Sequence, residues 1–133
     1  MDVALDAVLS GRTVLVTGHT GFKGSWLSLW LHRLGASVVG YALRPETRPN
    51  HYEAAEIGEL IAADHDADVR DLCRLEKVVE SIRPDVIFHL AAQPLVRRGY
   101  ETPVDTFATN VMGTVNVLES VRRSNRPCAV VIV

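Results

Sequence analysis

Residues 12–35, RTVLVTGHTGFKGSWLSLWLHRLG, constrain this chain more than any other stretch, because the hydrophobic period changes across a cluster of glycines. Thr13 to Thr17 is a short, β-branched apolar run of the kind buried inside a sheet. Beyond Phe22 the apolar residues take helical spacing. Trp26, Leu27, Trp30, Leu31 and Leu34 form one stripe, with Ser25, Ser28, His32 and Arg33 mostly off it, and Gly35 is placed to end the helix. Gly18, Gly21 and Gly24 join the two elements. Gly18 lets the chain turn sharply out of the strand, Gly21 stands where backbone must come close to a bound group, and Gly24 lets the helix pack hard. The helix start then offers unpaired N–H groups and a positive dipole end to an anion, and a dinucleotide pyrophosphate suits that arrangement. A tight turn that binds nothing also uses such glycines; the strand before and the helix after favour nucleotide binding.

The alternation of strand and helix continues. Ala36 to Leu43 reads as a second strand, parallel to the first through a right-handed crossover. A carboxylate for a ribose is expected near its end, about 20 residues beyond the glycines. None is there: positions 41–44 are Tyr-Ala-Leu-Arg, and the first acid is Glu46. Arg44 is therefore a partner for a 2′-phosphate, a platform for adenine or a solvated loop residue, and Lys23 can serve either phosphate. Residues 44–62 are polar and rich in breakers, with a short helix from Tyr52 to Ile61 interrupted at Gly58.

A weak third strand ends in HDADVRD, residues 65–71, where Asp71 caps a helix with Leu72, Leu75, Val78, Val79 and Ile82 on its apolar face. Val86 to Leu90 is a fourth strand running into the small residues Ala91 and Ala92, then Gln93 and Pro94. His89, mid-strand among apolar neighbours, reads as a satisfied structural histidine. Thr102 and Pro103 mark the start of a long helix. Val104, Phe107, Val111, Val115 and Leu118 form its apolar face, with Glu119 and Arg122 opposite. Asn110 inside that helix is a poor helix former, so it either serves the site or bridges helix and sheet. Gly113 permits close packing, and residues 127–133 form a fifth strand. Ahead of the sheet, residues 1–10 suit a short helical turn packing Val3, Leu5 and Leu9.

Composition narrows the class. With 133 residues, 47% hydrophobic and 23% charged, the chain makes one domain with a modest core. A net charge of −2 gives no basic surface for nucleic acid or membrane. No apolar run is long enough to cross a bilayer, and the acids in MDVALDAVLS do not suit a signal peptide, so the cytoplasm is expected. Cys73 and Cys128 are expected to be reduced structural residues in apolar settings, and no metal site is expected.

The glycine spacing is GxxGxxG, with His19 where the second glycine of GxGxxG would fall. With HLAA at 89–92 and TNVMGT at 109–114, the chain resembles the extended short-chain dehydrogenase/reductase (epimerase/dehydratase) superfamily. GHTGFKGSWLSLWL and DVIFHLAAQPLVRRGY are similar, more narrowly, to the CDP-glucose 4,6-dehydratase branch. The resemblance implies an α/β fold, a Rossmann-type doubly wound parallel sheet truncated after the fifth strand. Residues 1–133 would be the N-terminal part of an NAD(P)-binding domain, without the rest of that domain or the sugar-nucleotide-binding domain.

The resemblance also favours NAD over NADP. It implies cofactor contacts from Gly18, Thr20, Gly21, Phe22, Lys23, Gly24, Arg44, Leu90, Ala91, Ala92, Gln93 and Asn110, with Asp68 and Val69 at the adenine because DVRD is similar to the superfamily's D-[IVL]-x-D. Gln93 and Arg98 would face the sugar nucleotide, and Gly99 stands where relatives tend to carry serine. The superfamily's catalytic tyrosine, with a lysine four residues on, maps to no position: Tyr41, Tyr52 and Tyr100 lack that lysine. No catalytic residue is therefore expected here, and the piece alone should be inactive. The intact relatives are lyases, commonly dimers, that convert CDP-glucose to CDP-4-keto-6-deoxy-glucose and water by internal hydride transfer through bound NAD. Another extended short-chain nucleotide-sugar epimerase or reductase, and a stand-alone nucleotide-binding module, are the alternatives.

Overall fold

The computed structural model describes residues 4–133, so Val3 lies outside the described residues. A short helix, α1 (Leu5–Leu9), buries Leu9 but leaves Leu5 exposed. Then β1 (Thr13–Thr17) leads through the glycine loop into α2 (Phe22–Arg33), and β2 (Ser37–Ala42) follows. Two single-turn helices, α3 (His51–Ala54) and α4 (Ile57–Leu60), precede β3 (Ala63–Asp66). They are separated at Glu56, which takes a left-handed φ of 50°, and not at Gly58 as the sequence suggested. Next come α5 (Leu72–Ile82), β4 (Val86–His89) and α6 (Val96–Glu101). A long helical run follows: α7 (Pro103–Phe107), a π-helical turn (Ala108–Met112) and α8 (Gly113–Ser124). The last element is β5 (Ala129–Ile132).

All five strands form one parallel sheet in the order β3-β2-β1-β4-β5. β1 lies at its centre and is buried on both faces. Its side chains alternate as a strand must. Leu15 joins Val39, Ile87, Leu75, Val79 and Val117 in a core under α5 and α8, while Val14 and Val16 join Val38, Leu31, Ile57 and Tyr52 under α2–α4. The Asp85 carboxylate accepts from Thr13 N–H at 2.9 Å and from Arg12 at 3.3 Å, tying the starts of β1 and β4 together. At the end of α2, Gly35 (φ 83°) and Ala36 donate to the carbonyls of His32 and Leu31, the paired bonds of a Schellman motif. Asp71 accepts from Arg74 N–H at 3.0 Å and caps α5, whose Leu75, Val78 and Val79 are buried as expected.

Two helix faces differ from expectation. In α2 the buried residues are Gly24, Ser25, Ser28 and Leu31, while Trp26 and Trp30 are about half exposed. The helix start runs so close to the glycine loop that only small side chains fit beneath it. Ser25 and Ser28 lose nothing by burial, since their hydroxyls donate to Phe22 and Gly24 carbonyls at 3.0 and 2.8 Å.

In the long helix, Val104, Phe107, Val111, Val115 and Leu118 face outward, and the inner face is Gly113, Asn116, Val117 and Ser120. Its phase is set by Asn116, which donates to Val69 C=O at 2.8 Å, and by Gly113, where a Cβ would stand 2.8 Å from Val69 Cγ2. Thr102 precedes Pro103 as expected, but its hydroxyl donates back to Arg98 C=O instead of capping the helix. Cys73, expected in an apolar setting, is exposed. No helix among the described residues is long and apolar enough to cross a membrane.

Candidate functional site

The C-terminal ends of β1, β2 and β4 open into a cleft of about 970 Å³. In open parallel sheets ligands bind outside these strand ends, where the chain switches from one side of β1 to the other. Gly18, Thr20, Gly21, Phe22, Lys23 and Gly24 form its floor, Arg44 with Leu43 and Glu46 one rim, Asp68 and Val69 another, and Leu90, Ala91 and Ala92 the side at β4.

The floor is built by backbone. Gly18 has φ 76°, and a Cβ on it would stand 2.7 Å from Ala91 N. Its N–H donates to Tyr41 C=O at 3.0 Å, and the Thr20 hydroxyl donates to Leu43 C=O at 2.7 Å, so the loop is pinned to β2 at both ends. The first backbone bond closed by α2 is Ser25 N–H to Gly21 C=O at 2.9 Å. Among the described residues, the amides of Phe22, Lys23 and Gly24 are thus left without a backbone acceptor at the positive end of a helix of 12 residues. That donor set suits a pyrophosphate.

Beneath the loop lies a polar cluster that the sequence reading missed. His19 is fully buried, and its ring occupies the space where a Cβ on Gly40 would stand, 2.4 Å from Cδ2. Its Nε2–H donates to Asp64 Oδ1 at 2.8 Å, and Nδ1 is buried with no partner among the described residues. Asp64 Oδ2 accepts from Arg44 Nη1 at 3.0 Å and from the Tyr52 hydroxyl. Burial opposes charge on Asp64, but the hydrogen bonds from Tyr52, Arg44 and His19 outweigh it and hold the carboxyl below its usual range. Burial lowers the pKa of His19 despite Asp64, so the imidazole is neutral near pH 7. The one available signal was Gly40 in mid-strand, which marks close approach by another group.

A second relay fixes the β4 side. Thr17 Oγ1 accepts from Leu90 and Ala91 N–H, both at 3.2 Å, so its own proton goes to His89 Nδ1 at 2.6 Å. His89 Nε2–H then meets Thr114 Oγ1 at 3.0 Å, and the Thr114 hydroxyl donates to Asn110 C=O at 2.8 Å. His89 is therefore a neutral, doubly bonded structural histidine, its pKa lowered by burial. The Asn110 side chain closes the relay, accepting from Gln93 N–H at 2.7 Å and donating to Gln93 C=O at 3.1 Å.

Three of the residues singled out in the sequence stand away from the cleft lining. Asn110 holds the backbone of the loop after β4. The Gln93 amide caps that same loop, bonding Leu95 and Thr106. Arg98 on α6 makes a two-pronged pair with Glu46 at 3.2 and 3.0 Å, joining the rim after β2 to α6. Asp68 does border the cleft, and its carboxylate accepts from Arg70 N–H, Nε and Nη2 at 2.7–2.9 Å. The Arg70 guanidinium holds that carboxyl below its usual range, against the opposing effect of burial.

A parallel sheet of this order, with a glycine loop and an open helix end above its central strand, defines the Rossmann class of nucleotide-binding fold. The family described as GDP-mannose 4,6 dehydratase matches residues 15–133, and the chain belongs to that family, within the extended short-chain epimerase/dehydratase superfamily. A CDP-glucose 4,6-dehydratase from Salmonella typhimurium is 50% identical over 121 residues, covering 91% of this chain and 33% of its own length. A GDP-mannose 4,6-dehydratase from Vibrio cholerae is 30% identical, over 84% of this chain and 31% of its own. The crystal structure of UDP-glucose 4-epimerase from Brucella ovis in complex with NAD superposes with a TM-score of 0.75 at 29% identity, covering 92% of this chain and 35% of that one. The chain thus spans about a third of the length of the curated relatives it matches.

Proposed function

We propose that residues 1–133 are the N-terminal, NAD-holding part of a sugar-nucleotide 4,6-dehydratase acting on CDP-glucose in the cytoplasm. The observation that carries the substrate is the 50% identity to the Salmonella typhimurium CDP-glucose enzyme, against 30% to the Vibrio cholerae GDP-mannose enzyme. The geometry supports the cofactor half of this reading. In it, the free amides of Phe22, Lys23 and Gly24 bind the pyrophosphate, with the Lys23 ammonium beside it. Asp68 accepts from the adenine amino group while Val69 N–H meets a ring nitrogen, and Arg44 borders the adenosine ribose. Leu90, Ala91 and Ala92 give a flat, small-residue wall for the nicotinamide. Asn110 acts through the backbone of Gln93, holding that wall in register with the glycine loop.

When bound, NAD would supply reversible hydride uptake, and oxidation of the sugar carbon would acidify the neighbouring C–H. The residues of this chain orient and shield; the groups that move protons would come from the remainder of the enzyme, as would most of the sugar pocket and a homodimer contact. The test presents the intact enzyme with CDP-glucose, GDP-mannose and UDP-glucose and follows product mass. Loss of one water from CDP-glucose alone is expected. Conversion without mass change identifies an epimerase and overturns the dehydratase reading; loss of water from GDP-mannose alone overturns the choice of base.

A further inference from the structure

The carboxylate missing from the end of β2 is replaced, in space, by two from the neighbouring strand. β2 pairs with β3 so that Gly40 lies opposite Asp64 and Ala42 opposite Asp66. Both acids reach over to the residue just beyond β2. Arg44 Nη1 donates to Asp64 at 3.0 Å and Nε lies 3.4 Å from Asp66, while Nη1 also reaches the Tyr52 hydroxyl at 3.2 Å. Arg44 is half exposed and lines the cleft. An arginine at this place, read alone, is a receptor for the 2′-phosphate of NADP. Here it is neutralised twice over. One guanidinium and two carboxylates, with His19 neutral beneath them, sum to one negative charge at the rim where the adenosine ribose would lie.

We propose that Asp64 and Asp66, acting through Arg44, select NAD over NADP. This inference rests on the dinucleotide reading above. The two acids do different work. Asp64 accepts from His19, Tyr52 and Arg44 at once, so it also holds the glycine loop, and changing it would disturb the fold. Asp66 is half exposed and, among the described residues, pairs only with Arg44, which makes it the specificity-determining residue that can be altered cleanly. Its charge repels a 2′-phosphate dianion, and its hold on Nε turns part of the guanidinium away from one. At a separation of roughly 6 Å in a largely aqueous dielectric, removing that charge favours NADP on the order of tenfold.

The test is calorimetric titration of the intact enzyme, freed of bound dinucleotide, with NAD and with NADP, read as the ratio of the two dissociation constants. The variants are Asp66→Asn, Asp66→Glu and Arg44→Ala, each checked for an unchanged melting temperature. The unaltered enzyme should prefer NAD. Asp66→Asn should narrow the NADP-to-NAD ratio about tenfold, Asp66→Glu should keep it, and Arg44→Ala should leave it unchanged or widen it, since two unpaired acids then face the phosphate. A purely structural role for Asp66 would weaken both dinucleotides alike and leave the ratio fixed, which overturns the proposal. Selective loss of NADP binding on Arg44→Ala also overturns it, because Arg44 would then be a phosphate receptor. Binding of neither dinucleotide by the unaltered enzyme overturns the cofactor reading and this inference together, whereas NAD binding with a ratio indifferent to Asp66 removes the inference alone.

Discussion

Gly24 and Gly21 look alike in the sequence, yet the structure separates their roles. A methyl group on Gly24 would stand 2.0 Å from Gly18 O, 2.7 Å from Gly18 C and 2.9 Å from His19 Cα. All three are backbone atoms, and the loop that carries them is pinned to β2 by Gly18 N–H and the Thr20 hydroxyl. Relief needs a shift of more than ~1 Å in a segment with no slack. Overpacking of this kind costs about 3 kcal/mol, offset by about 1 kcal/mol for replacing glycine by alanine within a helix. Gly24→Ala should therefore lose about 2 kcal/mol, or roughly 6–8 °C in melting temperature for a chain of this size. At Gly21 the only neighbour of a new Cβ within 4 Å among the described residues is Gly18 O at 3.3 Å, and its φ of −74° suits any residue. Gly21 is the N-cap of α2, so Gly21→Ala should cost about 0.5–1 kcal/mol, less than Gly24→Ala, while weakening NAD binding, because the methyl group would project where the pyrophosphate is proposed to meet the loop. Urea denaturation followed by circular dichroism, beside NAD calorimetry, reads both effects. A Gly24→Ala chain as stable as the parent would refute the claim that the loop is held rigid from below.

Acidification should destabilise the fold from about pH 6.5 downward. Burial lowers the pKa of His19 and His89, so the unfolded chain binds protons in that window that the folded chain refuses, and stability rises with pH through it. The slope should approach about 1.4 kcal/mol per pH unit for each histidine, and denaturation at pH 7.5 and 5.5 measures it. The lowered pKa of Asp64 adds a separate loss only at more acid pH, below the ordinary carboxylate range, as that group protonates. Asp71→Ala removes the cap of α5 and should cost about 1 kcal/mol by urea denaturation, with no change in NAD affinity. Asn110→Ala leaves both backbone groups of Gln93 without their partner and should cost about 1–3 kcal/mol, with faster hydrogen exchange at the Gln93 amide. Asp68→Ala should weaken NAD binding by removing the proposed acceptor for the adenine amino group, while α5 keeps its cap.

Strands and loops were legible where local chemistry decides them. The apolar runs gave β1, β2, β4 and β5 to within a residue or two, whereas the polar β3 was placed only by its end, and Gly18, Gly35 and Asp71 act at the positions their types indicate. Helix faces were less legible. The apolar stripe of α2 read as the buried face, but Gly24, Ser25 and Ser28 take that place because contact with a glycine loop selects for size before hydrophobicity. The outward Val104, Phe107, Val111 stripe of the long helix shows the same limit, since Asn116 and Gly113 set the phase through partners distant in sequence. At the site, the glycine loop and cleft walls follow from motif residues. The His19–Asp64–Arg44 cluster does not, because it depends on the register of β2 against β3, which no local pattern encodes.

The most direct test of the central claim is an amide chemical-shift map of the 15N-labelled chain titrated with NAD. Saturable shifts are expected, concentrated at Phe22, Lys23 and Gly24, at Asp68 and Val69, and at Ala91 and Ala92, with α8 and β5 unmoved. Shifts confined to the exposed faces of the long helix, or none at saturating NAD in a folded chain, would contradict the claim.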